Sequence, residues 1–455
     1  MLYSICLYSA GKVIMSTDTQ ISSAPQSGMR DFLPREVRLR DWAAQVITSV
    51  YEQFGFTKIE TPCLENIALL KRGDGGENLQ LIFEVLKRGD KLERVLKSSG
   101  NESSEEASKK LKAELADMGL RFDLTVPLVR FYSHNQQNLP NPFKSIQIGS
   151  VWRAESAQQG RYRQFTQCDI DIFGVKSELA EVELLQATSE ALLKLGFENF
   201  TICINDRRLL SSLAGYCGFA EDRFESVFIA LDKLDKIGLD GVSRELAGQG
   251  HSEASIENLK KLLVELAEVS GPSEKQLEVL AGKTAADTET VEALMRVISI
   301  VKEASGGKFN VQFEPSLVRG MGYYTGPIFE IKYPGYNYSI AGGGRYDRMV
   351  GKMSGRDVPA CGFSIGFERI IGILMDENFE PQGSREKLAL IFDENRDKLA
   401  DVMKAAANLR SQGYNVLVQG KKKDMKKQID QLPAQAVSKL CLFKGDLNNL
   451  EIKTI

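Results

Sequence analysis

Apolar residues in this chain recur with two periods, and the alternation between them marks its elements. Leu39, Trp42, Val46, Ile47 and Val50 follow a helical spacing, which predicts a helix from about Arg35 to Phe54, stopped by Gly55. FTKIETP (56–62) then reads as a strand closed by proline. Ser145 to Trp152, rich in Ile, Val and Trp, predicts a second strand. Its return segment, if extended, sets Arg161, Arg163, Phe165, Gln167, Asp169 and Asp171 on one face. Ser177–Leu195 has helical periodicity again, and FTICIND (200–206) is a short buried strand. From about Leu210 to Ala304 the Leu/Ile spacing is helical throughout, so a helical subdomain interrupts a mixed sheet. The sheet resumes at Phe309–Ile331, and ACGFSIGFERI (360–370) passes from strand to helix. After a looser stretch at 380–387, the order Leu388–Phe392, helix 397–411, Tyr414–Val418, helix 421–429, Lys439–Phe443 predicts a small parallel sheet.

At 455 residues the chain can hold two or three domains. Its 58 Lys+Arg against 61 Asp+Glu leave a net charge of -3, so any contact with nucleic acid must come from local basic patches. The seven cysteines are scattered and odd in number, and there are two histidines. That pattern argues against a zinc centre or a disulfide framework and fits a reducing cytoplasm. No apolar run is long enough to span a membrane. The first 27 residues read as a disordered extension or an overextended start, with Met15 as an alternative first residue to Met1. KSSGNESSEEASKKLKAE (97–114) is a charged, low-complexity run, expected as a solvated helix or mobile insertion.

The chemistry-bearing residues cluster on the sheet segments. In the 143–174 hairpin, Arg153, Glu155, Arg161 and Phe165 can cradle a nucleotide: guanidinium forks for phosphate, a carboxylate for an amino group, a ring for stacking. The plainer alternative is a hairpin with a charged wet face. Asp123 and Thr125, placed at a strand end, either cap a turn or helix or hold a substrate ammonium. Arg319 precedes a glycine-permissive turn, with Tyr323 and Tyr324 either packing or gripping a ligand. Gly342–Gly344 imply close approach of the backbone to something. Gly362 and Gly366 keep the sheet open, and Arg369 at the strand–helix junction can point at phosphate. Lys421, Lys422 and Lys423, with Lys426 and Lys427, form the most basic patch, a solvated helix face or an RNA-backbone contact.

Three stretches resemble the signature motifs of the class II aminoacyl-tRNA synthetases, in order: helix–Gly–strand–Pro at 35–62, the Arg153–Asp171 hairpin, and 360–370. GMRDFLP (28–34), LVRGMGYYTGPIFEI (317–331) and AGGGRYDRMVG (341–351) further resemble the histidyl-tRNA synthetase family. The resemblance covers nearly all of 28–443. It implies an α+β catalytic domain on a mixed, mostly antiparallel sheet (28–209 and 309–379), a helical insertion (210–308) and a small C-terminal α/β domain (380–455) that binds the anticodon. It implies a cytoplasmic homodimer that activates L-histidine with ATP and passes it to histidine tRNA. Asp123, Leu124, Thr125, Gln167, Asp171, Arg319, Tyr323 and Tyr324 would hold histidine. Arg153 and Arg319 would flank the α-phosphate, and Glu155 would take the adenine amino group. Phe165 would stack on the base, with Arg161 and Arg369 on the outer phosphates. Mg2+ would travel with ATP, with no dedicated protein ligands. Gln158 and Gln159, with the lysines at 421–423, are the candidates for touching tRNA.

Two positions depart from the family pattern. Gly322 stands where Asp is usual before the Tyr-Tyr pair, and the C-terminal domain ends early, at LEIKTI. The rival expectation is a histidine-binding regulatory subunit of ATP phosphoribosyltransferase. Proteins of that kind typically lose the arginines and the C-terminal domain that this chain keeps.

Overall fold

The computed structural model describes residues 22–72, 80–98, 111, 113–155, 162–319, 322–381, 385–447 and 449–455. In chain order its strands are β1 (Thr57–Lys58), β2 (Leu64–Asn66), β3 (Glu84–Leu86), β4 (Ala116–Leu120), β5 (Phe143–Trp152), β6 (Gln164–Phe173), β7 (Thr201–Asp206), β8 (Asn310–Phe313), β9 (Pro327–Lys332), β10 (Ser339–Arg345), β11 (Ala360–Ile365), β12 (Lys387–Phe392), β13 (Asn415–Gly420), β14 (Lys439–Leu442) and β15 (Ile452–Thr454). Eight of them make one sheet in the order β1-β5-β6-β11-β10-β9-β7-β8. The outer pairs, β1–β5 and β7–β8, are parallel, and the five pairs between them are antiparallel. The mixed, mostly antiparallel sheet is thus the one the family resemblance implies.

Strict alternation decides which face of this sheet is dry. Ile146 on β5, Cys168, Ile170 and Ile172 on β6, and Cys361, Phe363 and Ile365 on β11 are all buried on one side. The helices Pro34–Gln53, Leu179–Lys194 and Phe367–Asp376 pack on that side. Ser145, Gln147, Gln167, Asp169, Asp171 and Ser364 fall on the opposite face by the same alternation. A register slip of one residue would drive Asp169 and Asp171 into the helix layer. It would also expose Ile170 and Ile172, each contributing about 1.5–3 kcal/mol by its burial. The polar face therefore cannot wander.

Between β7 and β8 run the helices Arg207–Tyr216, Phe224–Leu231, Leu234–Gly248, Glu253–Glu268, Glu274–Thr284 and Thr288–Ser305. Side-chain caps start three of them: Asp206 accepts from Arg208 N, Ser252 from Ser255 N, and Asp287 from Thr290 N. The charged run at 97–114, expected as a solvated helix or mobile insertion, starts at the end of the Asp90–Ser98 helix, between β3 and β4, and β2-β4-β3 form a small sheet. Residues 99–110 of that run lie outside the described residues.

The chain divides into two compact units, Met1–Asn378 and Phe379–Ile455. In the second unit β13, β12 and β14 are parallel, and β15 adds an antiparallel strand beyond the predicted βαβαβ order. The helix expected from Lys421 is Met425–Asp430. Asp424 caps it, accepting from Lys427 N at 2.9 Å, and Lys422 N donates to Gln428 Oε1 at 2.9 Å. Lys421, Lys422 and Lys423 are exposed on the segment before that helix.

Candidate active site

The register of β5, β6, β11, β10 and β9 lays four cross-strand rows on the polar face, each about 6.7 Å from the next. The first row pairs Val151 with Phe165. Arg153, just past β5, holds its guanidinium carbon 5.1 Å from the centre of the Phe165 ring and donates from Nε to Phe122 O at 3.1 Å. Glu155 follows, its carbonyl accepting from Arg163 Nε at 3.0 Å. The start of β10 lies at this same end of the sheet. There Arg369 Nη1 donates to the carbonyl and, at 3.2 Å, to the hydroxyl of Ser339, with its Cζ 5.3 Å from the Tyr338 ring.

Gln167 forms the second row opposite Gly149. Its Oε1 accepts from Leu124 N at 3.2 Å, while Gln147 Nε2 donates to Leu124 O at 3.3 Å. These two amides hold the 123–125 segment over the sheet. Thr125 opens the helix Thr125–Asn135, and one oxygen of Asp123 accepts from Val126 N at 3.1 Å. Asp123 therefore lies past the end of β4, which stops at Leu120, with its carboxylate turned to the first turn of that helix.

The third row is Gln147, Asp169, Ser364, Gly342 and Glu330. Arg319 lies on Gly342: a Cβ there would come within 2.5 Å of the guanidinium. Its Nη1 donates to Glu330 Oε2 at 2.9 Å. Burial works against the Arg319 charge, but Tyr324 and Glu330 hold it firmly protonated.

The fourth row is Ser145, Asp171, Gly362, Gly344 and Ile328. Tyr346 donates its hydroxyl to Asp171 Oδ1 at 2.5 Å. A Cβ on Gly362 would meet that same oxygen at 2.0 Å, and one on Gly344 would meet Tyr324 Cδ1 at 2.8 Å. Tyr323 and Tyr324 have ring centres 4.9 Å apart, and Tyr323 lies 5.9 Å from Tyr346. The glycines of β10 and β11 are where the arginine, carboxylate and phenols find room.

The electrostatics divide along the same line. Burial raises Asp171 to about 7, countered by the Tyr346 hydrogen bond and reinforced by Asp123. Burial also pushes Asp169 well above the carboxylate range, with Asp171 adding to it and Ser364 and Arg153 pulling back. Tyr324 is raised by burial while Arg319 draws it down. One end of the strip is therefore cationic and aromatic, the other acidic and phenolic, with Arg319 between them. The distance from Phe165 to Asp171 along β6 is about 20 Å.

Arg153, Glu155, Phe165, Gln167, Asp171, Asp123, Leu124, Thr125, Arg319, Tyr323, Tyr324 and Arg369 all lie on or against this strip. Arg161, Gln158 and Gln159 lie outside the described residues. Lys421, Lys422 and Lys423 belong to the second unit. Sequence reasoning did not single out Asp169, Tyr346, Gln147 or Arg40. Asp169 had a signal, since it shares the odd-position face with Gln167 and Asp171. Tyr346 had none beyond its place in the glycine motif.

A family model for histidyl-tRNA synthetase matches residues 89–370. A histidine–tRNA ligase from Leifsonia xyli subsp. xyli is 41% identical over 93% of this chain and 95% of its own length. The chain belongs to the histidyl-tRNA synthetase family. A crystal structure of histidyl-tRNA synthetase from Nostoc sp. PCC 7120 superposes with a TM-score of 0.74 at 26% identity, covering 96% of this chain and 95% of that one. A structure from Bacillus halodurans described as an ATP phosphoribosyltransferase regulatory subunit/histidyl-tRNA synthetase has a TM-score of 0.69 at 20% identity, over 94% of this chain and 100% of its own. That last likeness concerns the fold alone.

Proposed function

We propose that this chain is a histidine–tRNA ligase: it activates L-histidine with ATP to histidyl-adenylate and pyrophosphate, then transfers histidine to the 3′ end of histidine tRNA. The observation that carries the proposal is the order of the rows. Groups suited to a nucleotide occupy one end, groups suited to an imidazole and an ammonium occupy the other, and Arg319 lies between.

Laid along the strip, adenine stacks on Phe165 with its amino group on Glu155, and Arg153 meets the α-phosphate. Arg369 and Arg161 take the outer phosphates. Asp123, Thr125 and Gln167 receive the ammonium, with the Leu124 backbone fixing their positions. Asp171, Tyr323 and Tyr324 receive the ring. Attack of a carboxylate on the α-phosphate needs no general base, because the nucleophile is already ionised. The protein must hold two anions in line and stabilise the charge that grows on the phosphorus oxygens; fixed guanidinium groups do both. Among the described residues no group of three or more His, Cys, Asp or Glu side chains is arranged to hold a metal. In the proposal Mg2+ enters with ATP, as part of the substrate. Selection of histidine follows from buried polar groups that an apolar amino acid would leave unpaired.

The assembly we propose is a cytoplasmic homodimer. The free cysteines at 63, 168, 203, 217, 361 and 441 support a reducing compartment, and no described helix is long and apolar enough to cross a membrane. The lysines at 421–423, with Gln158 and Gln159, are the proposed tRNA contacts. The regulatory-subunit reading draws on the Bacillus halodurans likeness. Against it, the chain keeps Arg153, Arg319 and Arg369, and the second unit is present. Charging of histidine tRNA with labelled histidine tests the choice. Histidine binding without charging would favour the regulator.

A further inference from the structure

The strip contains an acidic side chain to which the proposed reaction, as described so far, gives no task. Asp169 is only 5% exposed, and its Oδ1 has no hydrogen-bond partner. A structural carboxyl in such a place normally satisfies both oxygens, because burying an acceptor without a donor opposes folding. Ser364 on β11 accounts for part of the group's environment, and the remaining oxygen is left for something the folded chain does not itself supply.

The neighbours say what that something is. Asp171 lies one row further along β6, Asp123 lies on the overlying segment, and Arg153 lies toward the nucleotide end. Through the sheet, Cys168 and Tyr51 are the other titratable groups that feel Asp169. Arg319, on the same row, is paired with Glu330, so three buried carboxyls against Arg153 favour a cation. Two cationic groups are on offer from the substrate, and position separates them. The phenols of Tyr346 and Tyr324 gather on the row of Asp171 and Gly344, whereas Asp169 lies on the row before it, next to Gln167. A primary ammonium has three N–H donors and no acceptor, so it needs acceptors on several sides at once.

We infer that Asp169 is a further recognition residue, whose Oδ1 accepts a hydrogen bond from the ammonium group of the bound amino acid and balances its charge. This rests on the reading of the strip as a histidine site. Asp169 is thereby a specificity residue for a zwitterionic amino acid over an imidazole that lacks the amine.

Calorimetry on the full chain tests it, with histidine and with imidazole-4-propionate (the same ring and carboxylate without the amine) as probes. Asp169→Asn should melt no lower than the wild type in the absence of ligand, since it relieves a buried carboxyl. It should bind histidine about 10- to 100-fold more weakly, while imidazole-4-propionate changes by no more than about twofold. Equal weakening of both probes would assign Asp169 to the ring and overturn the inference. So would histidine affinity unchanged in the variant. If the wild type fails to bind histidine at all, the ligase reading falls and takes this inference with it, a result distinguishable from the other two.

Discussion

Arg40 and Glu368 form a two-pronged ion pair that joins the first helix to the start of the Phe367–Asp376 helix, 328 residues away: Nη1 meets Oε2 at 2.6 Å and Nη2 meets Oε1 at 2.8 Å. The same guanidinium donates to Thr166 Oγ1 at 2.9 Å, and Thr166 N donates to Glu368 Oε1 at 3.0 Å. Phe165, Gln167 and Arg369 are the sequence neighbours of these groups, so the pair braces three parts of the strip from behind. Arg40→Met leaves the buried Glu368 to the looser pairing with Arg30 Nη2 at 3.6 Å and should cost about 1.5–3 kcal/mol in urea unfolding. Adding Glu368→Met should recover most of that loss, because it removes the stranded charge. The double variant should still show a raised KM for ATP, since Arg369 is no longer braced.

The raised Asp171 pKa makes a signed prediction. The folded chain holds this proton up to a pH of about 7, whereas the unfolded chain releases it near the ordinary carboxylate value of 3.8. Between those values the folded state binds more protons, so stability contributed by this group falls as pH rises through the window. Asp171→Asn cannot titrate there. Unliganded melts of the two proteins should lie closest at pH 4, at the foot of that window, and the variant should melt higher than the wild type at pH 8. A wild type that gains on the variant with rising pH would contradict the assignment.

How much of this was legible beforehand depended on what each residue answers to. The sheet strands were readable because one face is apolar on every other residue, as in Cys168, Ile170 and Ile172. The helix supposed to begin at Lys421 was misplaced because lysine fits helix and coil alike, and the capping by Asp424 decides the start. The one-residue spacing of Asp123 and Thr125 suits a strand end, but β4 stops at Leu120 and Asp123 accepts from Val126 N in the first turn of a helix, the helix-end reading that the pattern also allowed. Asp169 shares the legible odd-position face of β6, but only the folded chain shows that one of its oxygens lacks a partner. The Arg40–Glu368 pair joins segments 328 residues apart, and a local pattern carries no trace of that.

Gly362 makes a steric prediction. Alanine there would put a methyl 2.0 Å from Asp171 Oδ1 and 3.2 Å from Tyr346 Cε1, so the hydrogen bond between them must break or tilt. Histidine binding by Gly362→Ala should fall at least about 10-fold, the scale of one charge-assisted hydrogen bond. ATP binding, three rows away, should stay near the wild-type value. Titrating each substrate separately checks both halves.

Phe165 is where base stacking is expected, with Arg153 already against the ring. Base–aromatic stacking is worth about 1–3 kcal/mol by alanine substitution. Phe165→Ala should therefore raise the KM for ATP by about 5- to 150-fold and leave histidine affinity unchanged. A loss confined to histidine would place the nucleotide elsewhere.

The central claim is that guanidinium groups from well-separated parts of the chain act on a single triphosphate, with Arg319 at the junction between nucleotide and amino acid. Histidine-dependent ATP–pyrophosphate exchange, measured on the wild type and on Arg319→Ala, tests it most directly. The account predicts exchange that requires histidine in the wild type. It predicts a loss of at least about 100-fold in the variant, as for removal of a group that stabilises transition-state charge, with histidine affinity by calorimetry nearly intact. Exchange that proceeds without histidine, exchange that survives in the variant, or a loss of histidine binding as large as the loss of exchange would contradict it.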